Sequence, residues 1–305
     1  MDTFLHPPRW PESIPPGRFA SRVRIAGEPR PGVVALIGLP DDHGVILNHG
    51  RAGARLGPDA FRAALARYAV SAPPGFDWPD VLDLGDVTPA PGSGPQALHD
   101  THDRVTSVVE RALASGALPV AIGGGHDLTF ASARALARRG PCAGVAFDAH
   151  LDVRPEPGSG MPFRALAESG AVSELHVLGL DPLANSAEHT RWYTSHAGTI
   201  HDSHTPRART LSASLGIRAR TVFASLDLDV IDAAFAPGVS ATNPSGWTPE
   251  LAGAWAHASG RDPNVALFDL MELCPPHDES GRTARLAAWL FLRFLSGVSA
   301  RDAAR

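Results

Sequence analysis

The pattern of apolar and polar positions divides most of the chain into short apolar runs and longer helical stretches. Seven runs read as strands, and most of them end in Gly or Asp. These predicted strands are Val33–Gly38, Val81–Leu84, Pro119–Ile122, Gly144–Phe147, Leu175–Leu178, Thr221–Leu226 and Val265–Phe268. Several of the intervening stretches open with Asp, Thr or Pro, residues suited to a helix N-terminus. The predicted helices are Pro58–Ala69, Gln96–Ala114, Leu128–Arg138, Pro249–Ala258 and Thr283–Leu295. This alternation predicts parallel strands joined by crossover helices.

Two predicted strands, Val33–Gly38 and Gly144–Phe147, are apolar without alternation. Such strands are typically covered by helices on both faces, whereas alternating strands have one face in water. The pattern therefore predicts an α/β fold, a three-layer α/β/α sandwich. We expect residues 1–32 to form an N-terminal extension and residues 33–305 to form one domain. The Pro- and Gly-rich segment Val87–Gln96 predicts an exposed loop.

Composition narrows the choice of partners. The 305 residues carry 27 basic against 32 acidic side chains, a formal net charge of −5. This balance provides no basic surface for nucleic acid or anionic lipid, so we expect a small-molecule partner. The two cysteines, Cys142 and Cys274, cannot form a disulfide framework in a chain of this length. The first 27 residues contain five prolines and lack the apolar run of a signal peptide or membrane anchor, so we expect a cytoplasmic protein.

Polar residues whose side chains can bind metal ions or catalyse reactions directly follow four of the predicted strands. The segments are Gly123-Gly124-Gly125-His126-Asp127, Asp148-Ala149-His150-Leu151-Asp152, Asp227-Leu228-Asp229 and Asp269-Leu270-Met271-Glu272. Ligands of open parallel sheets bind beyond the carboxyl ends of the strands. The sequence therefore delivers carboxylates and imidazoles to one edge of the sheet.

These groups predict a metal site. Asp148, His150 and Asp152 are spaced i, i+2 and i+4, which places them on one face of an extended segment. Asp227 and Asp229 repel each other unless a cation neutralises them, and a helix cap explains at most one of the two. With His126, the six groups exceed the needs of one catalytic ion with an open position, so we expect two ions. Carboxylate and imidazole ligands without cysteine favour Mn²⁺, with Fe, Ni, Co and Zn as alternatives.

Three motifs resemble, in order, the metal-binding motifs of the ureohydrolase family, which includes arginase, agmatinase and formimidoylglutamase. They are Gly123–Asp127, Asp148–Asp152, and Ser225–Asp232 with Ala236-Pro237-Gly238. The resemblance covers about residues 33–292 and implies a mostly parallel eight-stranded sheet, two Mn²⁺ ions per chain and a homo-oligomer, a trimer or hexamer. It also implies that Asp148 and Asp227 bridge the two ions. The first ion would be bound by His126, Asp148, Asp152 and Asp227, and the second by Asp148, His150, Asp227 and Asp229.

The substrates of this family are amidines or guanidines, whose positive charge needs an anionic partner. Glu272 resembles the glutamate that pairs with this group in relatives. Ser159 stands where arginases and agmatinases have a histidine that is thought to shuttle protons, and a hydroxyl cannot replace it at neutral pH. We therefore expect a carboxylate such as Asp152 to relay the proton to the leaving amine.

Two arginines are candidates for binding a substrate carboxylate. Arg154 directly follows the second metal motif, and formimidoylglutamases tend to have arginine there. Arg164 is the other candidate, with a structural ion pair as an equally supported interpretation. With Ser159 and the segment Asn48–Arg51, Arg154 favours N-formimino-L-glutamate as the substrate, hydrolysed to L-glutamate and formamide in histidine degradation. The alternative is a urea-releasing hydrolase of agmatine, arginine or guanidinobutyrate.

Other polar residues receive structural interpretations. Asp232 either orients metal ligands or binds backbone amides near Ala233. The remaining candidates are predicted to lie in loops or on solvated helix surfaces: Asp41 and His43 in a loop, His99 and His102 on a helix, His201 and His204 in a loop. A mononuclear zinc deacetylase and a metal-binding relative without turnover are the rival classes of protein. A complete set of six ligands with Glu272 disfavours both.

Overall fold

The computed structural model describes residues 4–71 and 76–302. Within them one sheet has nine strands in the order β1-β3-β2-β4-β9-β8-β5-β6-β7. The strands are β1 Leu5–His6, β2 Val33–Leu39, β3 Asp80–Val87, β4 Leu118–Gly123, β5 Cys142–Phe147, β6 Val172–Leu178, β7 Gly198–His201, β8 Val222–Asp227 and β9 Val265–Met271. Strands β2 to β9 are parallel, and β1 pairs antiparallel with β3. The predicted eight-stranded parallel sheet is confirmed, with the two-residue β1 as an addition at its edge.

Helices cover both faces of this sheet. They are α1 His43–Leu47, α2 Gly57–Leu65, α3 Gly94–Ala114, α4 Leu128–Ala137, α5 Pro162–Glu168, α6 Ala187–Ser195, α7 Leu211–Leu215, α8 Pro249–Arg261 and α9 Arg282–Asp302. The buried side chains of α2, α8 and α9 pack with Val34 and Leu36 on one face of β2. Those of α3, α4 and α5 pack with Ala35 and Ile37 on the other face. The predicted three-layer sandwich is therefore confirmed.

Residues 4–32 join the edge of the sheet beside β3. Leu5 and His6 pair with Val87 and Asp86, and the indole nitrogen of Trp10 donates to Asp83 at 3.0 Å. Residues 1–3 of the predicted extension lie outside the described part of the chain. No helix in the described residues is long and apolar enough to cross a membrane.

Candidate metal centre

The four polar strand ends meet at one place. Strands β4, β9, β8 and β5 are consecutive neighbours in the sheet, and all run in the same direction. Their carboxyl ends therefore bring the polar segments that follow them to the same edge. His126 follows β4, Asp148 to Asp152 follow β5, Asp227 ends β8, and Glu272 directly follows β9.

The first group of ligands surrounds the imidazole of His126. Its Nδ1 atom lies 3.1 Å from Asp148 Oδ2, 2.9 Å from Asp152 Oδ2 and 3.1 Å from Asp227 Oδ2. One ligand atom from each of the four residues falls within 4.8 Å of all the others. The structure thus brings together the four residues to which the family resemblance assigns the first ion.

A second group lies beside the first and shares Asp148 with it. Asp148, His150 and Asp229 each place one ligand atom within the same 4.8 Å limit. His150 Nδ1 is 2.9 Å from Asp229 Oδ2 and 3.6 Å from Asp148 Oδ1. Asp227 is not part of this second group, and its Oδ1 accepts a hydrogen bond from the Asp229 amide at 2.8 Å. Asp148 is the residue common to both groups, and the bridging roles of Asp148 and Asp227 remain predictions.

The electrostatics of these groups call for positive charge. Burial, followed by the Asp229 carboxylate, raises the pKa of Asp227 well above its ordinary value. Burial, followed by the Asp148 carboxylate, raises the pKa of Asp229 to about 6. Several buried ligand atoms have no hydrogen-bonding partner in the described residues, among them His126 Nδ1, Asp148 Oδ2 and Asp229 Oδ1. Unpaired buried acceptors that face one another fit a site for divalent cations.

The side chain of Glu272 points into the same site. Its Oε1 accepts a hydrogen bond from the His126 amide at 2.9 Å, and its Oε2 is buried without a partner in the described residues. Burial, followed by the Asp229 carboxylate, raises the pKa of Glu272 to about 8. Both Glu272 and Asp152 have positive φ, 66° and 47°. Non-glycine residues rarely adopt this strained conformation, and they cluster at functional sites.

A cavity of about 140 Å³ opens beside these groups. Five of the six predicted ligands and Glu272 line it, and so do Arg154 and Ser159. The Arg154 guanidinium is exposed and has no hydrogen-bonding partner in the described residues. Arg164 does not line the cavity. Its Nε atom pairs with Glu168 at 2.8 Å and its guanidinium stacks on Trp192, which agrees with the structural interpretation of this residue.

Sequence reasoning missed a buried chain of polar residues behind His126. His126 Nε2 lies 2.9 Å from Ser225 Oγ, and Ser225 in turn lies 3.1 Å from Thr129 Oγ1. Thr129 donates to Asp269 Oδ2 at 3.1 Å. Because Thr129 donates to Asp269, Ser225 can donate to Thr129 and accept from the N–H at His126 Nε2, which leaves Nδ1 facing the carboxylates. The Asp269 carboxylate next to Glu272 was the one signal in the sequence for this chain.

The other polar candidates show mixed outcomes. The prediction that His102 is solvated was wrong, because its Nε2 lies 2.7 Å from Asp127 Oδ2 and both side chains are buried. His201 was also placed wrongly, since it ends β7 and lies 2.9 Å from His176 Nδ1. His99 is exposed on α3, as predicted. Asp232 accepts a hydrogen bond from the Ala234 amide at 2.8 Å, consistent with its backbone-binding interpretation. Asp41 and His43 lie outside both groups of metal ligands.

Comparisons with known proteins agree with this arrangement. The sequence model of the arginase family matches residues 33–297. A formimidoylglutamase from Ralstonia nicotianae is 36% identical, over 92% of this chain and 89% of the relative. The crystal structure of Trypanosoma cruzi formiminoglutamase with Mn²⁺ superposes with a TM-score of 0.80 at 31% identity, over 89% of this chain and 94% of that one. Proclavaminate amidino hydrolase from Streptomyces clavuligerus superposes with a TM-score of 0.75 at 28% identity, over 90% and 94%.

Proposed function

This chain belongs to the arginase family, and we propose that it hydrolyses N-formimino-L-glutamate to L-glutamate and formamide. The proposed cofactor is a pair of Mn²⁺ ions, bound by His126, Asp148, Asp152 and Asp227 at one position and by Asp148, His150, Asp227 and Asp229 at the other. Support for manganese comes from the ligand types and from the Mn²⁺ in the Trypanosoma cruzi relative. All proposed ligands lie within residues 33–305, the proposed catalytic domain.

One observation carries the proposal: a single cavity contains both an unpaired carboxylate oxygen and an unpaired guanidinium next to the ligand groups. Within the described residues, Glu272 Oε2 is a buried acceptor without a partner, and the Arg154 guanidinium has no hydrogen-bonding partner. An amidinium pairs with a carboxylate, and a substrate carboxylate pairs with a guanidinium through two parallel hydrogen bonds. N-formimino-L-glutamate carries both of these charges.

The chemistry of a bound metal pair is to lower the pKa of a water molecule toward 7, which supplies hydroxide at neutral pH. Glu272 orients the substrate by accepting hydrogen bonds from its amidinium. In the reaction an oxygen adds to the formimino carbon, and the bond between this carbon and the glutamate nitrogen breaks. The departing amine needs a proton, and Asp152, half-buried among the ligands, is the proposed relay.

Ser159 supports formimidoylglutamase activity over urea release. Its hydroxyl lies 3.3 Å from Asn48 Oδ1, so it lines the cavity as a neutral hydrogen-bonding group. A hydroxyl cannot exchange protons with bulk water at neutral pH as a histidine does. The alternative substrates agmatine, arginine and guanidinobutyrate present a guanidinium that Glu272 could also bind, so the two activities have to be separated by their products.

A product assay makes this separation. Purified protein is stripped with chelator, reloaded with Mn²⁺ and incubated with each of the four substrates, with unloaded protein as the control. We expect formamide and glutamate from N-formimino-L-glutamate, with kcat/KM at least about tenfold above that for any urea-releasing substrate. The reason is that N-formimino-L-glutamate carries two carboxylates beside its amidinium, whereas arginine and guanidinobutyrate carry one beside the guanidinium and agmatine carries none. Faster release of urea from a guanidine substrate would contradict the assignment of the substrate and leave the metal site unaffected.

A further inference from the structure

Asn48 lines the cavity of the metal centre, although it belongs to no group of ligands. It directly follows α1 as its C-cap residue, and its amide donates to Gly44 O at 3.1 Å. The Ser159 amide donates to the same carbonyl at 2.9 Å. The end of α1 and the loop around Ser159 are therefore joined at this wall of the cavity.

The hydrogen bonds of Asn48 fix the orientation of its side-chain amide. Its Oδ1 accepts from the Gly160 backbone amide at 2.8 Å and from Ser159 Oγ at 3.3 Å. The opposite orientation would place an NH₂ group against a backbone N–H, two donors facing each other. The Nδ2 group is therefore the donor end of the side chain, and it has no hydrogen-bonding partner in the described residues.

Two glycines hold Asn48 and Arg154 against the same loop. A Cβ atom on Gly158 would meet the Asn48 amide at 2.4 Å, and one on Gly160 would meet Arg154 Cδ at 2.9 Å. The Arg154 amide also donates to Gly160 O at 2.7 Å. The side chains of Asn48 and Arg154 therefore lie close against the two neighbours of Ser159.

The two side chains differ in depth. Asn48 is half-buried, and Arg154 is exposed. The proposed substrate has two carboxylates, of which the α-carboxylate is the nearer to the formimino carbon. Carboxylates accept hydrogen bonds only, so each one needs donors, and an amide NH₂ group without a partner is a donor.

Resting on the proposed function, we propose that Asn48 determines substrate specificity by donating from Nδ2 to the α-carboxylate. Arg154, nearer the solvent, then binds the side-chain carboxylate. Asn48 is a binding residue in this account, and the acceptor bonds of its Oδ1 serve to aim the donor. A purely structural Asn48 would hold the Ser159 loop and make no distinction between substrates.

The variant Asn48→Asp separates these two roles. An aspartate keeps the acceptor for Gly160 and Ser159, and it replaces the donor with an oxygen that repels a carboxylate. For N-formimino-L-glutamate we expect KM to rise about tenfold to a hundredfold, the loss of one hydrogen bond to a charged group, with kcat within about threefold. For N-formimino-4-aminobutanoate, which lacks the α-carboxylate, KM should change by less than about threefold in 0.15 M salt, where distant charges are screened.

Two further variants complete the experiment. Asn264→Asp adds the same charge before β9, at the opposite edge of the sheet, and should leave both substrates unaffected. Asn48→Ala removes the amide without adding charge. If Asn48→Asp does not fold or loses its metal, KM for the two substrates is compared in Asn48→Ala instead. Thermal unfolding and metal content of each variant establish which of them are intact.

The outcomes are distinct. A rise in KM that is confined to N-formimino-L-glutamate supports the proposal. An unchanged KM in Asn48→Asp, or an equal rise for both substrates in Asn48→Asp and Asn48→Ala, would overturn it. Failure of the parent enzyme to release formamide from N-formimino-L-glutamate is a different result, because it removes the proposed function itself and is seen before any variant is made.

Discussion

The role of each side chain at this site depends on which of its polar atoms have no hydrogen-bonding partner in the described residues. Glu272 is the clearest case, because one carboxylate oxygen is used by the His126 amide and the other is buried without a partner in the described residues. The backbone of Glu272, with φ of 66°, is itself held by a hydrogen bond from its amide to Gly124 O at 2.9 Å. This side chain is therefore aimed before any substrate arrives.

The variant Glu272→Gln should lower kcat/KM for N-formimino-L-glutamate at least about a hundredfold, because the amidinium loses its charged partner. Metal content should stay at the parent value, since Glu272 belongs to neither group of ligands. Steady-state kinetics and elemental analysis measure the two effects. Glu168→Gln, on the exposed partner of Arg164, is the control and should retain parent activity. Equal losses of metal and activity would make Glu272 a ligand instead.

The sequence predicted which side chains meet at the site better than it predicted what supports them. All six proposed ligands and Glu272 were predicted from their positions at strand ends. The direction of parallel strands is enough to place such residues at one edge of the sheet. His102 was misjudged because its partner, Asp127, lies 25 positions away on another element. The chain from His126 to Asp269 was missed for the same reason, since a hydrogen bond between elements leaves no local pattern in a sequence.

Among the elements, the loop between β4 and α4 does most to position the metal centre. It carries His126, and the Gly124 carbonyl in the same loop holds Glu272 in place. Gly124 fits because it has no side chain: a Cβ atom there would lie 2.2 Å from Asp41 O and 2.5 Å from Leu39 O. Both neighbours are backbone atoms, one in the last residue of β2 and one just after it, and they cannot rotate away.

The variant Gly124→Ala should therefore displace the loop and weaken metal binding along with the free energy of unfolding. Titration with Mn²⁺ should show at least about a tenfold loss of affinity at the site of His126, as for the loss of other residues that orient metal ligands. Gly170→Ala is the control. Its φ of 67° makes an alanine strained, yet its Cβ meets nothing within 4 Å, so it should lower stability and leave metal affinity unchanged. Unchanged affinity in Gly124→Ala would contradict this role of the loop.

The predictions of elements succeeded where the pattern was long and apolar. All seven predicted strands and all five predicted helices are present, with shifted ends. The strand Gly198–His201 has four residues and a partly exposed pattern, and α6, Ala187–Ser195, buries only Tyr193. Such short or weakly buried elements are stabilised by contacts with the adjoining sheet edge and helices. Their own sequences have little of the periodicity that identifies a helix or strand.

For the whole molecule, the parallel sheet concentrates negative charge at one edge, and stability should depend on pH and metal together. In the metal-free protein, burial and then Asp229 raise the pKa of Glu272 from 4.5 to about 8, and burial and then Asp148 raise that of Asp229 from 3.8 to about 6. A raised pKa means that the folded chain holds the proton more tightly than the unfolded chain. This contribution to stability is present at low pH and is lost as pH rises from about 4 to about 8.

We therefore expect the melting temperature of the metal-free protein to fall by several degrees between pH 5 and pH 8. The raised pKa values of His126 and His150 act in the same direction in the upper part of this range. Mn²⁺ binds the deprotonated ligands, so the increase in melting temperature on adding it should be larger at pH 8 than at pH 5. Calorimetry of both forms checks this. A metal-free melting temperature that rises toward pH 8 would show that the carboxylates are not held together as described.

The central claim is that two overlapping groups of ligands, sharing Asp148, bind two metal ions. The direct measurement is the manganese content per chain by elemental analysis, after chelation, reloading and removal of free metal, for the parent and for Asp229→Ala. The account predicts about two ions in the parent, which releases formamide, and about one in Asp229→Ala, which retains the group around His126. A parent that is fully active with one ion per chain would contradict it.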